Sequence, residues 1–253
     1  MIKGIDIFRD YFEEYKEQYV LIGGAACDII MEDAERAFRA TKDLDIVLIV
    51  EVLTPEFGKA FWNFIDEGKY RNKSKSSSDP QFYRFDKPET LGFPYMIELF
   101  SRRMFEIEDK DRNLTPIHID DEVSSLSAIL LNDAYYQMLL EGRSEVNGLT
   151  ILEPLYIIPF KAKAWIDLTE KKSKGMNVDE KEIRKHKNDI ARLAMVLSGN
   201  DFVRLPEEVR KDMEYFISRF ENDPVDLKNL RIRGLTNADL VMRLKDVYLL
   251  ETK

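Results

Sequence analysis

The chain of 253 residues holds one cysteine, Cys27, and two histidines, His118 and His186. One thiol cannot form an intramolecular disulfide. Neither histidine has partners at zinc-ligand spacing or a serine and acid in triad order, so a disulfide scaffold, a structural zinc and a Ser-His-Asp site are all unsupported. Cys27 lies among apolar residues with nothing nearby to lower its pKa, and reads as packing. No apolar run reaches the length of a membrane span, and residues 1–20 lack a basic segment followed by an apolar one. A cytoplasmic protein without membrane contact is expected. An excess of positive charge is also missing: 38 Lys and Arg face 47 Asp and Glu, a net charge of -9. That argues against general polyanion binding through a broad positive field, and leaves only local basic stretches at 70–75 and 181–192.

What is present is 44% hydrophobic and 34% charged sequence, enough for a packed core under a charged surface. Ile5, Phe8, Phe12 and Tyr15 recur at helical spacing, then Tyr19 to Ile22 forms a short apolar strand ending in Gly23-Gly24, with a helix starting at the glycines. Leu44 to Val50 is rich in β-branched residues and predicts a buried strand. Pro55 to Gly68 predicts a helix with Phe57, Phe61 and Phe64 on its core face. Arg71 to Asp79, rich in Lys and Ser, is expected to be a loop. Gln81 to Asp86 and Pro94 to Phe100 read as strands, and Ile117 to Ile119 as an edge strand. Ser124 to Glu141 is open between strand and helix, with Ala134 to Leu140 favouring helix. After the Asn147-Gly148 turn the pattern becomes helical, at Leu155 to Leu168, Asp179 to Ser198, Glu207 to Asn222 and Leu235 to Leu250. The expected division is 1–148 and 149–253.

Three local features carry chemistry. Glycines between a strand and a helix N-terminus let backbone N–H groups approach a phosphate, and the helix end favours an anion. Asp43 and Asp45 stand two apart on a strand, so both side chains share a face at roughly 7 Å spacing, where carboxylates can hold Mg²⁺ with room for water and phosphate oxygens. Glu98 sits between Ile97 and Leu99 on a later strand, a costly place for a carboxylate without a partner or a metal. Taken singly, the same residues also describe a plain turn, a solvated strand edge and a solvent-facing glutamate. Their order is what makes them specific.

That order, glycine pair, helix, Asp-x-Asp strand and third acid, resembles the DNA polymerase beta-like nucleotidyltransferase superfamily. The later segments around Lys161 and around Lys185 and Asp189 resemble the helical region of AbiEii-type nucleotidyltransferases of abortive-infection and toxin-antitoxin systems, and the resemblance as a whole spans about Tyr19 to Leu197. The resemblance implies an α/β (α+β) nucleotidyltransferase fold with a mixed, mainly antiparallel sheet and a helical C-terminal domain. It implies metal binding by Asp43, Asp45 and Glu98, catalytic roles for these acids and Lys161, and nucleotide contacts from Gly23, Gly24, Arg39, Thr41, Lys185 and Asp189. Mg²⁺ or Mn²⁺ would be the cofactor, an NTP the substrate, RNA such as tRNA or a protein the acceptor, and an antitoxin a partner. Glu98 stands where the superfamily more often has Asp, and His186 where AbiEii-type proteins often have Asp. An aminoglycoside-type small-molecule nucleotidyltransferase and an inactive nucleotide-binding module are the alternatives.

Overall fold

The computed structural model describes residues 2–36, 38–39, 41–72, 83–102, 129–130 and 132–250. The chain forms two compact units, Met1–Asp120 with Arg143–Glu153, and Asp121–Gly142 with Pro154–Lys253. The expected strand at 117–119, His118 and most of the expected 71–79 loop lie outside the described residues.

In the first unit, α1 (Ile5–Phe12) continues as a 3₁₀ turn (Glu13–Gln18) into β1 (Tyr19–Ile22), α2 (Gly23–Asp33), β2 (Asp43–Leu48), α3 (Pro55–Gly68), β3 (Arg71–Asn72), β4 (Tyr83–Asp86) and β5 (Met96–Ser101). A hairpin, β6 (Arg143–Val146) and β7 (Leu149–Leu152), completes the sheet, ordered β3-β4-β5-β2-β1-β7-β6. Four strand pairs are antiparallel, while β2 with β5 and β1 with β7 are parallel. The sheet is therefore mixed and mainly antiparallel, as expected.

The glycine and aromatic patterns explain the local structure. Thr54 caps α3 by accepting a hydrogen bond from Phe57 N at 3.3 Å, with Pro55 opening the helix, where a missing N–H costs nothing. Phe57, Phe61 and Phe64 then meet Phe12, Phe64 also meets Phe8, and Phe8 and Phe12 both meet Tyr19. Phe12 alone lies 5.4 Å from Phe57, 5.6 Å from Phe64 and 6.2 Å from Tyr19, between ring centroids. This aromatic layer covers the sheet face carrying Tyr19, and leaves the strand alternation to send Asp43 and Asp45 to the other face.

Two segments differ from the sequence reading. Arg71 and Asn72, expected to begin a loop, pair with Asp86 and Phe85 of β4. The Asn147-Gly148 turn, read as the end of the first domain, instead joins two strands inside it. Both turn residues have positive φ, 51° and 78°, the backbone twist that closes a two-residue hairpin. Four-residue strands are too short to show much alternation, so the turn was legible and its strands were not. The division of the chain consequently falls after Glu153, with Asp121–Gly142 in the second unit.

The second unit is helical: α4 (Asp133–Glu141), α5 (Pro154–Ser173), α6 (Glu180–Leu193), α7 (Glu207–Asn222) and α8 (Asn237–Val247). Side chains of Asn132, Asp179 and Thr236 cap α4, α6 and α8. Helix α5 contains Pro159, which has no N–H to give the carbonyl of Leu155. The buried Tyr248 hydroxyl donates to that carbonyl instead, at 2.8 Å. Trp165 packs edge-on against Phe216 in the core between α5 and α7.

Candidate active site

Strand register brings the three first-unit acids onto one face of the sheet, in two neighbouring rows. On β1, Ile22 is opposite Asp45 of β2, Asp45 is opposite Glu98 of β5, and Glu98 is opposite Arg84 of β4. The next row on that face holds Asp43, Met96 and Asp86. Gly23, directly after Ile22, has φ +63°, and a Cβ there would overlap Oδ2 of Asp45. The glycine is therefore required twice, for its backbone conformation and for the close approach of the carboxylate. A Cβ on Gly24 would lie 2.7 Å from Thr41 Oγ1 and 3.4 Å from Arg39 Nη2. Gly23, Gly24, Arg39, Thr41 and Asp45 thus gather at the N-terminus of α2, whose N–H groups and dipole favour an anion.

Glu98 is only 5% exposed. The reading of it as a solvent-facing residue does not hold, and the partner that burial demands is Arg84. Arg84 Nε and Nη2 lie 2.7 Å and 2.5 Å from Glu98 Oε1. Burial pushes the Glu98 carboxyl up from its ordinary value. The Arg84 charge and hydrogen bond pull it down, as does a hydrogen bond with Asp45, while the Asp43 charge pushes it up, and the balance is a raised pKa. Arg84 is the site residue that sequence reasoning missed. Its signal was the alternation Arg84, Phe85, Asp86, in which Phe85 is buried, but its opposite number could not be read without the register.

For the divalent cation that the resemblance implies, the donor chemistry fits: Asp43 and Asp45 offer hard carboxylate oxygens on one face, and Glu98, hydrogen-bonded to Asp45, feels the like charge of Asp43, which a cation would relieve. On the same face, Asp86 Oδ1 is buried without a hydrogen-bond partner. Among the described residues, no three His, Cys, Asp or Glu side chains already stand in metal-holding geometry. Glu98 in particular is held by Arg84, so it would join Asp43 and Asp45 as a ligand only through its remaining oxygen or after reorienting.

The other three candidates lie in the second unit. Lys161 Nζ is 3.1 Å from Asp189 Oδ2, with both side chains buried, and Arg192 Nη1 is 3.6 Å from Asp189 Oδ1. Lys185 donates to Glu182 at 2.9 Å. The structure therefore joins Lys161 to Asp189 across α5 and α6, and gives Lys185 a carboxylate one turn earlier on its own helix. Beside them, Lys163 meets Asp167 at 3.1 Å and Asp212 at 3.9 Å, and the buried Tyr135 hydroxyl donates to Asp212 at 2.9 Å.

No protein-family model matches this chain, and no curated protein matches it. Solved structures do. An antigenic nucleotidyltransferase-like protein from Paracoccidioides brasiliensis is similar over 93% of this chain and 94% of its own, at 15% identity and a TM-score of 0.41. The antibiotic-resistance factor ANT(2'')-Ia is similar over 87% and 96%, at 10% identity and a TM-score of 0.38. The Megavirus polyadenylate synthase matches 87% of this chain with 36% of its own length, at 9% identity and a TM-score of 0.39. Likeness at this level says nothing of activity, so the functional reading rests on the residues themselves. No described helix is long and apolar enough to cross a membrane.

Proposed function

We propose that this protein is a metal-dependent nucleotidyltransferase that moves a nucleoside monophosphate from an NTP to an acceptor hydroxyl. The observation that carries this reading is the row in which Gly23, Asp45 and Glu98 meet, with Asp43 on the same face and Arg39 and Thr41 beside Gly24. A phosphate chain needs donors without steric cover, and the α2 N-terminus with Gly23, Gly24, Arg39 and Thr41 would supply them. Asp43 and Asp45 would hold Mg²⁺ or Mn²⁺, with Glu98 as the third acid. When bound, the metal supplies Lewis-acid stabilisation of the charge on the phosphate oxygens. Glu98, whose pKa is raised by burial, would accept the proton of the acceptor hydroxyl. The acceptor oxygen then bonds to the α-phosphorus as the bond to the pyrophosphate oxygen breaks, and pyrophosphate leaves with that electron pair.

The finer reading, an AbiEii-type enzyme with an RNA or protein acceptor and an antitoxin partner, comes with the resemblance of the Lys161 and Lys185/Asp189 segments. In this proposal Lys161 and Asp189 serve first as a pair that joins α5 to α6. Lys185 would contact nucleotide only after leaving Glu182.

Transfer from labelled NTPs in the presence of Mg²⁺ is the direct test, run on the wild type and Asp45→Asn. Wild-type transfer that falls at least about 100-fold in the variant is expected, since an essential charge is lost at the reacting phosphate. A wild type that neither binds nor transfers any NTP, or an Asp45→Asn protein with full activity, would overturn the proposal.

A further inference from the structure

The second unit carries an apolar groove that its own fold leaves open. Eight large hydrophobic side chains are exposed among the described residues, and three of them, Phe202 (70%), Met242 (59%) and Leu249 (53%), line one groove of about 460 Å³ beside α8. Val203 N donates to Val247 O at 2.9 Å, which lays this segment against the end of the helix. Single exposed hydrophobics are ordinary, whereas a cluster of them marks an interaction surface.

Helix α8 also closes in an unusual way at Leu249. Leu249 N donates to Asp246 O at 3.2 Å and Leu250 N to Lys245 O at 2.9 Å, the pair of bonds that ends many helices. The residue after the cap in that motif takes a left-handed backbone and is usually glycine, but here it is leucine at φ 53°. Glycine would close the helix without strain. The leucine adds strain and puts an apolar side chain into water, so helix closure does not account for it.

Charge points to what covers the groove. Asp201, Asp239 and Asp246 line it, with one base, Arg243, whose Nη1 donates to Ala194 O at 2.9 Å. The loop that leads into Leu235 at the groove carries the opposite sign, since Arg231 and Arg233 are both exposed. A purely basic partner would meet the acids but be repelled by these arginines. Two copies related by a two-fold axis present the same patch to each other, which requires both signs around an apolar centre, as found here. We propose that the protein pairs with a second copy of itself through this groove. Phe202, Met242 and Leu249 of the two copies pack together, and the acids of each copy face Arg231 and Arg233 of the other. The pairing stands independently of the nucleotidyltransferase reading.

The test is sedimentation equilibrium of the full chain from about 1 to about 100 μM, in the wild type, Leu249→Gly, Phe202→Ser and Arg231→Glu/Arg233→Glu. The wild type should dimerise within that range, and more weakly as salt is raised. Leu249→Gly and Phe202→Ser should each weaken dimerisation at least about 10-fold. Both substitutions fall on exposed side chains, and Leu249→Gly relieves backbone strain, so its melting temperature at monomeric dilution should be no lower than that of the wild type. Reversing the two arginines should weaken dimerisation by a similar factor, because the acids then face like charge. A wild type that stays monomeric throughout overturns the proposal and leaves the groove to a different partner. A dimer that survives Leu249→Gly and Phe202→Ser unchanged also overturns it, by placing the interface elsewhere. Dimerisation indifferent to the arginine reversal overturns the two-fold pairing of acids with bases.

Discussion

Replacing Lys161 by Met separates a structural ion pair from a catalytic lysine. Asp189 is fully buried, with Lys161 at 3.1 Å and Arg192 at 3.6 Å. At an effective dielectric constant near 20, the first of these attractions is worth about 5 kcal/mol before desolvation is subtracted. The substitution keeps the aliphatic packing of the lysine stem but leaves the buried carboxylate without that cation, with Arg192 still beside it. Breaking a buried pair typically costs about 3 to 5 kcal/mol, and the remaining arginine places this case near about 3 kcal/mol. Lys161→Met/Asp189→Leu, which removes both charges, should recover most of that loss. Urea unfolding followed by tryptophan fluorescence is the assay. The chain has two tryptophans, Trp62 in the first unit and Trp165 in the second, so a Trp62→Phe background makes the signal report on the helices that hold the pair. A loss under about 1 kcal/mol in Lys161→Met, or a double variant no more stable than the single one, would refute the reasoning. If that small loss came with abolished nucleotide transfer, Lys161 would belong to the chemistry and not to the scaffold.

Two other substitutions probe the site and the second unit. Gly23→Ala should strain a residue at φ +63° by about 1 kcal/mol and push the Asp45 carboxylate from its place, with a loss of nucleotide transfer of at least about 100-fold. Wild-type turnover in that variant would show that Asp45 does not depend on the glycine. Asp212 gives a pH signature. Burial raises its carboxyl, the Tyr135 hydrogen bond and Lys163 draw it down, and Asp167 and Glu208 push it up, for a net increase. The folded chain therefore holds this proton more tightly than the unfolded chain, so the contribution of Asp212 to stability grows as pH falls through the folded pKa towards the unfolded value. The melting temperature of the wild type relative to Asp212→Asn should rise between about pH 7 and about pH 4. A difference that stays flat or runs the other way would contradict the assigned environment.

How far the site could be read from the sequence depends on the range of each interaction. Gly23-Gly24 and Asp43-x-Asp45 were legible because a strand's two-residue period and a turn's need for glycine are local. So was the Phe57, Phe61, Phe64 face, since it follows the helical period. Arg84 was illegible because its partner lies 14 residues away on another strand, and a one-residue change of register would send it to the opposite face. Lys161 and Asp189 were both singled out, but as separate contributors to a nucleotide site. Their pairing, 28 residues apart, depends on how α5 packs against α6.

The sequence by itself determined the principal described helices, the central strands β1, β2 and β5, and the alternation that puts Asp43 and Asp45 on one face. The tertiary structure alone decided that β2 lies between β1 and β5, that Asp45 therefore stands between Gly23 and Glu98, and that Glu98 is answered by Arg84. It alone decided that the short strands at the Asn147-Gly148 turn belong to the sheet, through the parallel pairing of β7 with β1. The physical reason is one of distance along the chain: backbone periodicity and turn preference act within a few residues, whereas strand order and ion pairing are set by which distant surfaces bury each other.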